Sequence, residues 1–118
     1  MLVIEDEKDV ALSVMKRLKY AGFDVSVAGD GVAATAAAFQ FQPDVVILDI
    51  GLPCGDGFEV ANRLRENVVT AITPIIFLTA RTSELDRQKA ESLGAFAYMT
   101  KPFKSEELVS TIEEALGS

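Results

Sequence analysis

Asp49 closes the apolar run Val45-Val46-Ile47-Leu48 and is followed by Ile50-Gly51-Leu52-Pro53, so a carboxylate is delivered from a buried strand straight into a turn. A charge in such a place is costly unless a cation or hydrogen-bond donors surround it. Three other apolar runs end in the same manner: Leu2-Val3-Ile4 in Glu5-Asp6, Ile75-Ile76-Phe77-Leu78 in Thr79, and Phe96-Ala97-Tyr98-Met99-Thr100 in Lys101. Acids, a hydroxyl and an amine at the carboxyl ends of apolar strands are the parts of one site if those strands lie parallel in one sheet. Two carboxylates about 4 Å apart repel by roughly 4 kcal/mol at an effective dielectric near 20, so Glu5, Asp6 and Asp49 brought together demand a cation. The chain has no His, and a donor set made only of oxygens suits Mg²⁺, with Mn²⁺ as an alternative, leaving an open position for a phosphoryl oxygen. Lys101 adds a fixed positive charge and Thr79 a hydroxyl donor. These groups fit phosphoryl transfer, in which a protein mostly positions atoms and neutralises charge, and Asp49 is the candidate nucleophile.

The elements that must position these residues alternate along the chain. Strands are predicted at 2–4, 23–28, 45–48, 75–78 and 96–100, each a short run rich in Val, Ile, Leu or Phe. Between them, helices are predicted at 8–20, 31–41, 57–66, 83–93 and 105–116. The first has Val10, Ala11, Val14 and Leu18 at helical spacing and stops at Ala21-Gly22; Gly94 stops the fourth; Ser105 reads as the N-cap of the fifth. Continuous apolar strands separated by helices mean a parallel sheet covered on both faces. With right-handed crossovers, the expected fold is a single doubly wound, flavodoxin-like α/β sheet in the order 2-1-3-4-5, with a crevice at the carboxyl ends of strands one and three.

Composition narrows the classes further. The 118 residues fit one domain, 1–118, and 49% hydrophobic residues supply a core. One Cys, Cys54, cannot form an intramolecular disulfide and is read as incidental, which suits a reducing cytoplasm. No apolar stretch approaches the roughly 18 residues that span a bilayer, so no membrane partner is expected. A net charge of -7 argues against direct nucleic-acid binding, which needs clustered Lys and Arg on phosphates.

Taken together, Val3-Ile4-Glu5-Asp6-Glu7, the run from Pro43 through Asp49 to Pro53, Asp56-Gly57-Phe58-Glu59-Val60, the run from Pro74 to Ala80, and Tyr98-Met99-Thr100-Lys101-Pro102-Phe103 resemble, almost end to end, the receiver domain of bacterial two-component response regulators. The chemotaxis member of that family is a known example of the 2-1-3-4-5 order, so the expected topology is partly carried by the resemblance. The resemblance implies that Asp49 accepts a phosphoryl group from a histidine kinase or histidine phosphotransfer protein. It also implies that Asp6, Asp49 and the Gly51 carbonyl hold Mg²⁺, with Glu5 acting through water. Thr79, Ala80 and Lys101 would contact the phosphoryl group, Thr79 and Tyr98 would be the switch pair, and the Lys101-Pro102 bond would be cis. The domain would regulate rather than turn over a substrate, assisting its own phosphorylation and dephosphorylation.

Output would run through the face of helix four, strand five and helix five, to an output domain or a downstream protein. Phe96-Ala97 stands where the winged-helix branch of the family usually has two acids, which disfavours that branch's dimer and directs attention to apolar surface around Phe96; the competing expectation is that Phe96 packs beneath helix four. Other classes fit less well. A phosphatase of the haloacid-dehalogenase type needs a second acid two residues after its nucleophile, where Gly51 stands, and Glu5-Asp6-Glu7 would repel the phosphate of a flavin.

Overall fold

The computed structural model describes residues 1–52 and 56–117. Pro53 and Cys54 lie outside the described residues, so the expectation for Cys54 is not addressed by the fold. The chain runs β1 (Leu2–Ile4), α1 (Lys8–Tyr20), β2 (Ser26–Ala28), α2 (Gly31–Phe41), β3 (Val46–Leu48), α3 (Gly57–Glu66), β4 (Ile75–Thr79), α4 (Glu84–Ser92), β5 (Ala97–Thr100) and α5 (Ser105–Gly117). The five strands form one parallel sheet in the order β2-β1-β3-β4-β5, as the alternation of apolar runs and helices predicts.

The pleat divides the core. Leu2, Ile4, Val46, Leu48, Ile75 and Phe77 face α2, α3 and α4, where they meet Ala34, Ala38, Ala61, Leu64 and Ala90. Val3, Ile47, Ile76 and Leu78 face α1 and α5, where they meet Val14, Leu18, Leu108 and Ile112. Strands buried on both faces have no polar side to display, which is why they read as continuous apolar runs.

Several boundaries differ from the sequence reading. Strand two was expected over 23–28 but pairs only over Ser26–Ala28, because its partner β1 offers three residues, Leu2 to Ile4, and β2 is the sheet edge. The third, fourth and fifth strands run Val46–Leu48, Ile75–Thr79 and Ala97–Thr100, and α4 is Glu84–Ser92, each within a residue or so of its expected end. Ser105 is not outside α5 but its first residue; the Lys104 carbonyl accepts the first helical hydrogen bond, from the Leu108 N–H at 3.1 Å.

Helix starts on the α2 and α3 side are fixed by carboxylates that accept from the first turn. Asp30 accepts from the Ala33 N–H at 2.8 Å and Asp56 from the Glu59 N–H at 3.0 Å. No helix among the described residues is long and apolar enough to cross a membrane.

Candidate phosphoryl-transfer site

Parallel pairing aligns Ile4 with Leu48, Leu48 with Phe77, and Thr79 with Thr100, so the residues that follow these positions emerge together at one edge of the sheet. There, one carboxylate oxygen from each of Glu5, Asp6 and Asp49 lies within 4.8 Å of the others. Glu5 and Asp49 are buried at 5% and 9% exposure, while Asp6 is exposed. This all-oxygen set, open on the Asp6 side, fits a hard divalent cation that keeps part of its water shell.

Asp49 is held at several atoms. Its N–H donates to the Ile4 carbonyl at 3.0 Å, Oδ1 accepts from the Gly51 N–H at 3.2 Å, and Oδ2 accepts from Lys101 Nζ at 3.1 Å. Lys101 also donates to Glu5 Oε1, and the other Glu5 oxygen accepts from the Glu7 N–H at 3.3 Å. Lys101 thus bridges the acids that follow β1 and β3, one ammonium between two carboxylates.

The shared ammonium does not act equally on its two partners. Burial pulls the Asp49 carboxyl upward, but the hydrogen bond and charge of Lys101, the Thr79 hydroxyl and the Gly51 N–H together hold it below the ordinary carboxylate range. Burial and the neighbouring Asp49 charge raise Glu5, despite the Lys101 hydrogen bond. Burial opposes the Lys101 charge, yet the two carboxylates outweigh it and raise its pKa. Asp49 is therefore an ionised carboxylate at neutral pH, as a nucleophile must be.

Thr79 is 1% exposed at the end of β4, and its hydroxyl oxygen accepts from the Arg81 N–H at 3.3 Å. Ala80 follows it and is exposed. Tyr98 is only partly buried; its hydroxyl donates to the Arg81 carbonyl at 2.9 Å, which ties β5 to the loop after Thr79. The Lys101-Pro102 peptide is cis, as expected. Phe96 is 40% exposed rather than tucked into the core: it lines a cleft of about 910 Å³ with Arg65, Ile72 and Leu116, at the opposite end of β5 from Lys101.

Three arrangements were not foreseen from sequence. Phe58, Phe77 and Tyr98 form an aromatic row, with centroids 5.6 Å and 6.1 Å apart, and two cations of α4 rest on its ends: Lys89 Nζ 4.7 Å from the Phe58 ring and Arg87 4.8 Å from the Tyr98 ring. The Arg65 guanidinium donates to four carbonyls, those of Ala71, Thr73, Leu93 and Gly94, at 2.7 to 3.2 Å. Gly57 sits against the backbone of Asp49. Aromatic residues within two strands and at the start of α3 hinted at the first; the other two depend on backbone atoms that carry no sequence signal.

The chain belongs to the response regulator receiver family: residues 1–113 match the response regulator receiver domain. It is 46% identical to the transcriptional regulatory protein TrcR of Mycobacterium tuberculosis, across 98% of this chain and 44% of that protein. It is 40% identical to the DNA-binding dual master transcriptional regulator RpaA of Synechocystis, across 98% of this chain and 48% of that protein. The chain therefore spans less than half the length of these relatives. Among solved structures, the chemotaxis protein CheY4 of Vibrio cholerae superposes with a TM-score of 0.91 at 34% identity, covering 98% of this chain and 96% of that one. The BeF₃-activated N-terminal receiver domain of RstA from Klebsiella pneumoniae superposes at 0.92 with 27% identity, covering 99% and 97%.

Proposed function

We propose that Asp49 is the phosphoacceptor of a single receiver unit, taking a phosphoryl group from the phosphohistidine of a histidine kinase or histidine phosphotransfer protein on the cytoplasmic side. The observation that carries this reading is the meeting of three carboxylates from β1 and β3 with the Lys101 ammonium 3.1 Å from Asp49 Oδ2. In the transfer, an Asp49 carboxylate oxygen forms a bond to phosphorus as the phosphorus–nitrogen bond to the donor imidazole breaks, and the leaving imidazole takes up a proton. Asp6, Asp49 and the Gly51 carbonyl would hold Mg²⁺, with Glu5 acting through water, and the ion would neutralise the clustered carboxylates and phosphoryl oxygens. Lys101 is placed to exchange its contact with Asp49 for one with the new phosphoryl oxygens, and Thr79 to donate its hydroxyl to them.

The domain regulates rather than turns over a substrate, and its own residues set how fast the acyl phosphate forms and hydrolyses. Output passes through the α4, β5 and α5 face to an output domain or partner protein. One relative is a transcriptional regulatory protein and another a DNA-binding transcriptional regulator, and this acidic unit would leave DNA contact to another part of such a protein.

Acetyl phosphate with Mg²⁺ tests the reading. Intact-mass spectrometry is expected to show one added phosphoryl group, absent in Asp49→Asn and suppressed by chelator; the same adduct in Asp49→Asn would refute Asp49 as acceptor. With BeF₃⁻, Thr79→Ala should still bind the anion yet leave the NMR signals of Tyr98 and the loop after β4 unshifted.

A further inference from the structure

The first residue of α3 lies closer to Asp49 than any side chain allows. A methyl group on Gly57 would stand 2.3 Å from the Asp49 carbonyl oxygen, 2.7 Å from Ile50 Cα and 2.9 Å from the Asp49 carbonyl carbon. All three are backbone atoms of a buried segment, so none can rotate aside as a side-chain end would. The φ of Gly57 is not in the left-handed region, unlike those of Gly22 and Gly94, so closeness rather than backbone conformation is what requires glycine.

The contact is fixed from both sides. The Gly57 N–H donates to the Ile50 carbonyl at 2.8 Å, and the Asp49 N–H donates to Ile4 on β1 at 3.0 Å. Behind Gly57, the Asp56 cap and the buried Phe58 ring, 5.6 Å from Phe77, anchor the start of α3. Residues Asp49 and Ile50 are thus gripped between β1 and the N-terminus of α3, immediately before Gly51.

We infer that Gly57 is a positioning residue for phosphoryl acceptance: by letting α3 seat directly on the Asp49–Ile50 peptide, it sets where the Asp49 carboxylate and the Gly51 carbonyl stand relative to Glu5 and Asp6. The inference rests on the reading of Asp49 as phosphoacceptor and deepens it. A side chain at position 57 would lift α3 or push the peptide, and a displacement of about 1 Å at a reacting group is enough to cost roughly a hundredfold in rate.

The test is Gly57→Ala, made in a Gln42→Gly background to preserve folding, since Gln42 holds a left-handed conformation (φ 48°) that glycine adopts without strain. Mg²⁺ affinity is read by NMR titration of the Gly51 and Asp49 amides, alongside the melting temperature and the rate of labelling by acetyl phosphate. The expected result is a folded variant with Mg²⁺ affinity and labelling rate each reduced at least about tenfold, and with Gly51 and Asp49 amide shifts displaced before metal is added. Ala61→Gly, which weakens α3 at a buried position away from the site, is expected to lower the melting temperature while keeping Mg²⁺ affinity. Unchanged Mg²⁺ affinity in folded Gly57→Ala would overturn the inference, as would failure to fold even in the Gln42→Gly background, which would make the role of Gly57 one of stability alone. If the Gln42→Gly parent itself bound no Mg²⁺ and took no phosphoryl group, the reading of Asp49 would fall, and this inference with it.

Discussion

Helices α3 and α4 cover the same face of the sheet but are held by different means. Helix α3 buries Gly57, Phe58, Val60, Ala61 and Leu64, and its first residue touches the backbone of Asp49. Helix α4 buries only Ala90; Leu85 is 77% exposed, and the helix is otherwise held by Arg87 and Lys89 on aromatic faces and by the Arg65 grip just past its C-terminus. Backbone packing of the first kind resists displacement, whereas cation–ring contacts at exposed sites contribute only about 0.5 to 1 kcal/mol each. On the proposed reading, a domain that keeps its acceptor geometry while changing its outer face would need both kinds of attachment, side by side.

Truncating the residue where the two attachments meet should have the largest effect. Phe77 is fully buried between Phe58 and Tyr98, and Phe77→Ala is expected to cost about 3–5 kcal/mol in urea unfolding, loosening α3 and α4 together. A loss under 1 kcal/mol would show that the row is not continuous core. Next is Arg65→Lys, which keeps the charge but not the planar fork that reaches four carbonyls. A loss of roughly 1–3 kcal/mol is expected, with faster amide exchange at the Gly94 turn; full retention by lysine would show that charge alone suffices.

Smaller still is the double change Arg87→Met with Lys89→Met, expected to lower stability by no more than about 2 kcal/mol. Hydrogen exchange sharpens the contrast: α4 amides should exchange faster than α3 amides in the parent, and the double variant should widen that gap without altering α3. Equal protection of the two helices would break the comparison.

The smallest effect is electrostatic. Glu5, raised, binds its proton more tightly in the folded chain than in the unfolded one, so it favours the fold as pH falls through its raised value. Asp49, lowered, contributes stability above the ordinary carboxylate range that is lost only as pH falls through its own depressed value. Carboxyl ¹³C NMR should therefore show Glu5 titrating above Asp49. In Asp49→Asn the Glu5 midpoint should move down, because a repelling charge has gone and Lys101 is left to Glu5; an unmoved midpoint would deny the coupling.

The sheet order and the convergence of Glu5, Asp6, Asp49, Thr79 and Lys101 were legible because buried parallel strands write themselves as apolar runs, and the polar residue ending each run marks the same edge. The length of β2 was not, since an edge strand extends only as far as its partner's three residues, whatever its own propensity. Gly57 reads in sequence as an ordinary glycine at a helix start; its meaning lies in the distance to a carbonyl eight residues earlier. Arg65 is legible only as a basic residue in the last turn of α3, because its acceptors are main-chain oxygens six to 29 residues away and any residue type supplies those. Phe96 gave a divided expectation, and its 40% exposure places it at the surface, where it is partly covered.

The Arg65 grip has a mechanical consequence. It fastens the Leu93 and Gly94 carbonyls to the end of α3 and so makes a fulcrum at one end of α4. The nine residues of α4 span roughly 13 Å, so a tilt of ten degrees about that fulcrum carries the far end, beside Arg81 and the Tyr98 hydroxyl, through about 2 Å. Were α4 to tilt as a rigid body, it would act as a lever whose pivot is a single guanidinium and whose free end lies toward the Thr79 loop.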